Sequence, residues 1–233
     1  MNAMKNYFIT GTDTGVGKTF VTCALLHLLQ VRGVKVAPMK PVAAGTIDID
    51  GEQLNEDVAL MQAVTKQHFA LRDINPYCLD EAIAPHIAAA NENVVIDPAV
   101  IQAAFRRLAM NSECVLVEGA GGFLVPLNAH ASMADLPALL SLNVILVVGM
   151  RLGCLNHALL TAEAIRARGY HLAGWIANAP TEAPMNRLTE NIVSLKLLMT
   201  APWLGTIPHL DASEEMNERL ESAAAHLQID SLL

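Results

Sequence analysis

The chain has 233 residues, a formal net charge of −8 at pH 7 and a composition that is 53% hydrophobic. This length suits one α/β domain, and no segment approaches the roughly 18 to 20 uninterrupted apolar residues of a membrane-spanning helix. The acidic balance, with a pI near 5.4, disfavours nucleic acids and anionic membranes as partners, because clustered lysines and arginines normally bind them. We therefore expect one domain over residues 1–233 that acts on small molecules.

The N-terminal residues lack the apolar segment of a signal peptide, so the sequence predicts a cytoplasmic protein. Residues 1–3 can equally be interpreted as a cloning remnant. Cys23, Cys78, Cys114 and Cys154 lie far apart without a CxxC pair, which favours reduced, mostly buried thiols over disulfides or zinc. The eight histidines have no HxH or HExxH spacing. A metal ion in this protein should therefore be bound by oxygen.

Short apolar runs alternate with helical patterns along the chain, which is typical of parallel strands joined by crossover helices. The predicted strands cover residues 7–10, 34–39, 114–118, 144–149, 172–178 and 204–207, and the predicted helices cover 18–31, 57–64, 97–110, 154–168 and 185–199. Because the strands are nearly all apolar, we expect a mostly parallel central sheet with helices on both faces. Residues 211–227 are predicted to form an acidic amphipathic helix packed on the domain; a membrane-targeting helix would carry Lys and Arg instead.

Residues 11–19, GTDTGVGKT, lie between the first predicted strand and the first predicted helix. In such a loop, glycines let backbone N–H groups point at a phosphate, the helix N-terminus adds positive potential, and a lysine reaches the outer phosphates. Lys18 and Thr19 supply that lysine and the hydroxyl that such loops offer to Mg²⁺. The alternative is a glycine-rich turn with an incidental lysine. The loop favours nucleotide binding and a single-domain P-loop NTPase-like α/β fold.

The loop is a variant, because the usual spacing requires glycine where Thr12 stands, and Gly11 comes one residue early. Its core, residues 15–19, resembles the deviant loops of the nitrogenase iron protein and of the partition and septum-site ATPases. Those proteins carry a further lysine where this chain has Asp13, which weakens that resemblance. A Rossmann dinucleotide site is disfavoured because GxGxxG is absent.

A magnesium ion at Thr19 would need further oxygen ligands, preferably carboxylates. Glu118 ends a predicted strand and should lie at the carboxyl edge of the sheet, where open α/β sheets bind ligands; its alternative role is to cap a loop. Asp57 begins a predicted helix, so a metal ligand and a helix N-cap are equally good interpretations. Lys40 follows the second predicted strand, and Pro41 disfavours helix there, which places the ammonium at the same edge. From these residues alone, an exposed surface lysine is the better interpretation of Lys40.

Eight segments together carry a specific resemblance. They are residues 11–19 (GTDTGVGKT), 40–43 (KPVA), 75–77 (NPY), 85–86 (PH), 117–122 (VEGAGG), 152–157 (LGCLNH), 173–175 (AGW) and 205–208 (GTIP). In this order, over residues 7–210, the chain resembles the dethiobiotin synthetase family. The resemblance implies that ATP and Mg²⁺ drive ring closure of 7,8-diaminopelargonic acid with CO₂, through a carbamate and a carbamic-phosphoric anhydride, to dethiobiotin, ADP and phosphate.

The same resemblance implies the roles of individual residues. Lys18 and Lys40 would be catalytic cations at the carbamate and the transferring phosphoryl group, whose reaction depends chiefly on positioning and electrostatic stabilisation. The implied metal ligands are Thr19, Asp57 and Glu118. The implied nucleotide-binding residues are Gly15, Val16, Gly17, Lys18, Thr19, Phe20, Asp57, Glu118, Gly119, Ala120, Gly121, Asn178, Ala179, Pro208, His209 and Leu210, with the Asn178 amide suited to adenine. The implied substrate-binding residues are Thr14, Lys18, Lys40, Ala44, Gly153, Cys154 and Asn156.

In similar enzymes the turn that corresponds to Gly153 and Asn156 binds the carboxylate of the substrate held in the partner subunit's site. The resemblance therefore implies a homodimer. On the sequence alone, Gly153 and Asn156 are better interpreted as ordinary residues at the start of a helix.

Two positions depart from the family. Ala44 stands where members often carry a serine that donates to the carbamate, and Gly15 replaces a glutamate of some members. Neither change removes a charged group from the implied site.

Two other functions use similar loops. A nucleotide-switched partition or division ATPase is disfavoured by Asp13, by the acidic C-terminal segment and by the net charge. An amidating synthetase of the cobyrinate type would require a glutaminase domain, for which no sequence remains.

Overall fold

A computed structural model describes residues 6–49, 51–183 and 185–232; the interpretation of residues 1–3 as a cloning remnant lies outside them. The strands are β1 (Tyr7–Gly11), β2 (Val36–Met39), β3 (Val42–Ala44), β4 (Ile47–Ile49), β5 (Glu52–Leu54), β6 (Tyr77–Leu79), β7 (Cys114–Gly122), β8 (Asn143–Gly149), β9 (Leu172–Asn178) and β10 (Trp203–Ile207). The helices are α1 (Lys18–Val31), α2 (Glu56–Val64), α3 (Leu71–Ile74), α4 (Pro85–Asn91), α5 (Pro98–Met110), α6 (Leu136–Leu140), α7 (Cys154–Ala167), α8 (Leu188–Leu198) and α9 (Met216–Ala225), with a 3₁₀ turn at Met133–Asp135.

Six strands form one sheet in the order β10-β9-β8-β1-β7-β2. Every neighbouring pair in it is parallel, which confirms the predicted parallel sheet. Strand β7 lies between β1 and β2, so the carboxyl ends of these three strands are adjacent at one edge. The phosphate loop leaves β1 at this edge, and Lys40 directly follows β2. Glu118 does not end its strand as predicted, because β7 continues to Gly122; it lies in the middle of β7, directly after Val117, which pairs with Met39 at the end of β2.

Apolar side chains of β1 alternate between the two faces of the sheet, as the period of a strand requires. Phe8 packs in a cluster with Ile101 of α5, whereas Ile9 packs in a second cluster with Leu25 of α1 and Leu220 of α9. Burying each such side chain contributes about 1.5–3 kcal/mol. Helices therefore cover both faces, as predicted, and rigidly support the edge that carries the charged residues.

The predicted elements all occur, with shifted ends. The second predicted strand, β2, begins at Val36 rather than at residue 34, and the third predicted strand, β7, continues beyond residue 118 to Gly122. The last predicted helix is confirmed over Met216–Ala225, where Leu220 is buried, but its first residues form turns instead. Short elements were not predicted. These are β3 paired with β6, β4 paired with β5, and the helices α3, α4 and α6.

Within the described ranges, no helix is both long and apolar enough to cross a membrane. Cys23, Cys114 and Cys154 are buried and Cys78 is exposed, which confirms the prediction of mostly buried cysteine side chains. Burial raises the pKa of Cys114 to about 12, and it also raises the pKa of Cys154. Thiols of this kind are poor nucleophiles at neutral pH.

Candidate active site

The phosphate loop enters α1 through Gly17, which is the N-cap residue and has a left-handed backbone with φ 81°. A Cβ atom at this position would overlap the side-chain amide of Asn178, so both the backbone and the space around it require glycine. The first turn of α1 contains no acidic residue and its N-cap has no side-chain hydrogen bond. The positive end of the helix therefore remains available to an anion such as a phosphate.

Asn178 supports this loop from the end of β9. Its Nδ2 atom donates to the carbonyl oxygen of Val16 at 2.8 Å, and the residue is only 3% exposed. The contact uses one hydrogen of the amide to hold the loop. The adenine-binding role of Asn178 stays a prediction. Adenine would have to be bound by the other hydrogen and the oxygen of the same amide.

Glu118 is the buried centre of the site, with an exposed fraction of 0%. Its Oε1 atom accepts from Thr19 Oγ1 at 2.9 Å and from Lys40 Nζ at 2.9 Å, and its Oε2 atom accepts from Thr22 Oγ1 at 2.6 Å. A buried carboxylate requires such donors, because an unpaired charge in the interior is very costly. The loop hydroxyl and the second lysine therefore meet at one carboxylate.

Lys40 bridges the two predicted acidic residues, since its ammonium also forms an ion pair with Asp57. The residue is 5% exposed, so the interpretation as a surface lysine is wrong. Burial acts to lower the pKa of Lys40, but the carboxylates of Glu118 and Asp57 outweigh burial and hold this pKa above its ordinary value. Lys40 therefore remains cationic at neutral pH.

The backbone around Lys40 is fixed from both sides. Its N–H donates to the carbonyl oxygen of Ile74 at 2.8 Å, and its own carbonyl accepts from Asn75 Nδ2 at 2.7 Å. Asn75 Nδ2 also donates to Tyr77 O at 3.0 Å, so one amide joins the end of β2 to the start of β6. This geometry explains why an asparagine in the NPY segment matters to the site.

Asp57 lies in the first turn of α2 and is not its N-cap. Asn55 is the N-cap and accepts from the Asp57 N–H at 3.2 Å, so the N-cap interpretation of Asp57 is wrong. Its side chain is 41% exposed, takes no part in capping the helix and forms an ion pair with Lys40. Burial acts to raise the pKa of Asp57, but the charge of Lys40 outweighs burial and holds this pKa below its ordinary value.

Lys18 is the second buried cation, with an exposed fraction of 7%. Its Nζ atom donates to the carbonyl oxygen of Asp13 at 3.1 Å. Burial lowers the pKa of Lys18 against the opposing charge of Glu118, and the charge of Lys40 lowers it further. The side chain of Asp13 forms an ion pair with Arg151 and accepts from the Thr14 N–H. Asp13 thus fastens the loop to the segment before α7, at the position where deviant loops carry a lysine.

A cavity of about 670 Å³ opens above these groups. The predicted site residues that line it are Thr14, Gly15, Gly17, Lys18, Thr19, Lys40, Ala44, Asp57, Glu118, Ala120 and Gly121. The cavity is also lined by Ala82, Ile83, Ala84, Pro85 and Val125, which the sequence had not placed in the site. Its lining therefore combines charged and apolar residues.

The remaining predicted residues do not line the cavity. They are Val16, Phe20, Gly119, Gly153, Cys154, Asn156, Asn178, Ala179, Pro208, His209 and Leu210. The residues predicted on the adenine side lie together at neighbouring strand ends, where the Ala179 N–H donates to Ile207 O at 3.0 Å. At the start of α7, Cys154 is 1% exposed and its N–H donates to Arg151 O at 2.9 Å. Asn156, which is exposed, is therefore better placed than Cys154 to contact a substrate.

The oxygen atoms of Thr19, Asp57 and Glu118 are a donor set of the kind that Mg²⁺ prefers. They are linked through Lys40 and through the Thr19–Glu118 hydrogen bond. Among the described residues there is no group of three or more His, Cys, Asp and Glu side chains that could hold a metal alone. The donor set fits an ion that takes its other ligands from water and phosphate.

The chain is similar to known proteins over most of its length. The family model described as "AAA domain" matches residues 5–217. The ATP-dependent dethiobiotin synthetase BioD of Aromatoleum aromaticum is 53% identical over 92% of this chain and 95% of its own length. The enzyme of the same name from Nitrosospira multiformis is 49% identical over 90% of each chain.

Among solved structures, the MinD cell division protein of Aquifex aeolicus is similar with a TM-score of 0.58. The similarity covers 98% of this chain and 95% of that one at 15% identity. At this identity the likeness concerns the fold alone.

Proposed function

The chain belongs to the family of ATP-dependent dethiobiotin synthetases, and we propose that it is the ligase that forms dethiobiotin in biotin biosynthesis. The observation that carries this proposal is the convergence of Lys18, Lys40, Asp57 and Glu118 on one phosphate loop. Two buried cations beside two carboxylates suit a reaction in which negative charge migrates between a nucleotide and an anionic acceptor. The proposed substrates are 7,8-diaminopelargonic acid, CO₂ and ATP.

In the proposed reaction, one amine of the diamine captures CO₂ as a carbamate. The carbamate attacks the γ-phosphorus of ATP and releases ADP, and the second amine then attacks the carbonyl carbon and expels phosphate. Lys18 and Lys40 hold the carbamate and the transferring phosphoryl group in place by charge. Lys40 suits this role because its backbone is fixed by Ile74 and Asn75, which limits the entropy lost in orienting its ammonium.

We further propose that Thr19, Asp57 and Glu118 hold Mg²⁺, which would neutralise charge on the phosphates when bound. Residues 15–20 and 118–121 would receive the phosphates, and Asn178, Ala179 and residues 208–210 would bind the adenine side. The apolar lining of the cavity at Ala82–Pro85 suits the hydrocarbon chain of the diamine. Because Ala44 offers no hydroxyl to the carbamate, one hydrogen bond worth about 1 kcal/mol is expected to be missing there.

A homodimer is part of the proposal, with Gly153, Cys154 and Asn156 completing the partner subunit's site. Leu152, beside these residues, is 94% exposed, and a large apolar side chain of this kind is typical of an interface. A cytoplasmic location also stays a prediction. Nothing specific in the site favours a partition or division ATPase, since the likeness to MinD is one of fold at 15% identity.

The direct test is to incubate the protein with MgATP, bicarbonate and the diamine, and to search for dethiobiotin by mass spectrometry. We expect product, with ATP hydrolysis that depends on the diamine. ATP hydrolysis without product, indifferent to the diamine but stimulated by DNA or lipid, would favour a switch ATPase.

In the same assay Lys40→Ala should lose turnover far more than ATP affinity, whereas Lys66→Ala, at an exposed lysine, should match the parent protein. Equal loss of turnover and ATP affinity in Lys40→Ala would remove its role at the transferring group.

Shared sites can be tested by mixing two inactive variants, Asn156→Ala and Lys18→Ala. A mixed dimer contains one site with neither change, so mixing should restore part of the activity. Complete inactivity of every mixture, despite confirmed subunit exchange, would contradict sharing.

A further inference from the structure

We propose that Thr22 is a positioning residue that fixes the Glu118 carboxylate so that its Oε1 atom faces the nucleotide site, a role that rests on the proposed function. Thr22 lies in α1, four residues after Lys18, and it is 0% exposed. It is not among the residues that line the cavity, so it would act only through Glu118.

The Thr22 hydroxyl has two acceptors within reach and a single hydrogen. Glu118 Oε2 lies at 2.6 Å and the carbonyl oxygen of Lys18 lies at 2.9 Å. A distance of 2.6 Å is typical of a hydroxyl that donates to an ionised carboxylate, which is the stronger acceptor. We therefore assign the hydrogen to Glu118.

This bond divides the two oxygens of Glu118 between different tasks. Oε2 is bound to Thr22 on the buried side of the helix, and Oε1 meets Thr19 and Lys40 on the cavity side. Rotation of the carboxylate about its terminal bond would break the hydrogen bond to Thr22. Thr22 therefore holds Oε1 in the one orientation that can serve a cation beside Thr19, as outer-sphere partners of metal ligands commonly do.

Two other threonines show what Thr22 would look like without this role. Thr161 Oγ1 in α7 donates to the carbonyl oxygen of His157 at 2.7 Å, four residues earlier, and Thr65, the C-cap residue of α2, donates to the carbonyl oxygen of Met61 at 2.6 Å. These contacts are local to one helix. The bond from Thr22 instead crosses 96 residues of sequence to reach the predicted metal ligand, which makes Thr161 a matched control.

The first experiment compares Thr22→Val, Thr22→Ser and Thr161→Val with the parent protein. Binding of a fluorescent ATP analogue is measured in EDTA and then across a magnesium titration. We expect Thr22→Val to leave affinity in EDTA unchanged while the magnesium concentration for half-maximal enhancement rises about 10- to 100-fold. Thr22→Ser should restore the parent value, and Thr161→Val should keep it.

Equal weakening of binding with and without magnesium in Thr22→Val, or failure of Thr22→Ser to restore the parent value, would overturn this proposal alone. A parent protein that gains nothing from magnesium would overturn the proposed metal site and this proposal together.

The second experiment needs neither metal nor nucleotide. Urea denaturation in EDTA compares the effect of Thr22→Val in the parent protein with its effect in Glu118→Gln. The midpoint should fall more in the parent, because only there does the substitution remove a hydrogen bond to a charged acceptor. Equal falls in both backgrounds would overturn the proposal. If Thr22→Val does not fold, Thr22→Ala is compared in the same two backgrounds.

Discussion

Replacing Lys40 by methionine tests the electrostatics of the site without substrate. The change keeps an unbranched side chain but removes the cation that lies between Glu118 and Asp57. Losing one partner of a buried ion pair costs about 3–5 kcal/mol. We expect a value near 3 kcal/mol, because Thr19 and Thr22 still donate to Glu118.

The assay is urea denaturation at pH 7 in EDTA, with Lys66→Met as the control at an exposed position. With a slope of about 3 kcal/mol per molar urea, the midpoint of Lys40→Met should fall by about 1 M. The midpoint of Lys66→Met should change by less than about 0.2 M, since surface substitutions usually stay within about 0.5 kcal/mol. Equal midpoints for Lys40→Met and the parent would refute the reasoning that Lys40 is the counter-ion of the buried carboxylates.

Two further predictions concern the loop and the end of the chain. Gly17→Ala should abolish nucleotide binding, because its Cβ atom would overlap the side chain of Asn178. The control Gly33→Ala has a similar φ of 80° and open space around it, so it should lose about 1 kcal/mol of stability and keep nucleotide binding. Equal nucleotide binding by the two variants, measured calorimetrically, would contradict the close packing of Gly17 against Asn178. Tyr7→Phe loses the 2.6 Å hydrogen bond to Leu232 O and should unfold about 1 kcal/mol more easily at pH 8. Burial, aided by Cys114, raises the pKa of the Tyr7 hydroxyl from 10.0 to about 12. The contribution of this hydroxyl to folding stability is therefore complete below pH 10 and is lost as the pH rises toward 12. The difference in free energy of unfolding between the parent protein and Tyr7→Phe should vanish near pH 11, and a difference that stays constant with pH would contradict this prediction.

The sequence pattern predicts the six main strands and places Lys40 and Glu118 at the same edge of the sheet, because parallel strands direct all their carboxyl ends to one edge. It does not predict that Lys40 is buried against Glu118, since the residues alone favoured an exposed lysine. The residue types are informative as well, since a lysine and a hydroxyl after GVG are typical of phosphate binding. What makes the residues converge is the insertion of β7 between β1 and β2. That order depends on contacts between distant segments, which local patterns do not contain.

Other features lie below what a local pattern can reveal. Strands of three residues such as β3 and β6 are too short to show a period. The sequence suggested Asp57 as the possible N-cap of α2, whereas in the structure Asn55 is the N-cap and its side-chain amide also donates to Gly45 O at 2.7 Å. The roles of Thr22 and Asn178 rest on side-chain contacts across 96 and 162 residues. A spacing of four residues from Lys18 was the available signal for Thr22, but it does not identify the partner.

The most direct test of the whole account is a crystal structure with Mg²⁺ and a non-hydrolysable ATP analogue. We predict the terminal phosphate at the start of α1, with the ammonium groups of Lys18 and Lys40 both within about 3 Å of its oxygens, and the purine at the ends of β9 and β10. Lysines that point to separate surfaces, or a purine bound elsewhere, would contradict the account.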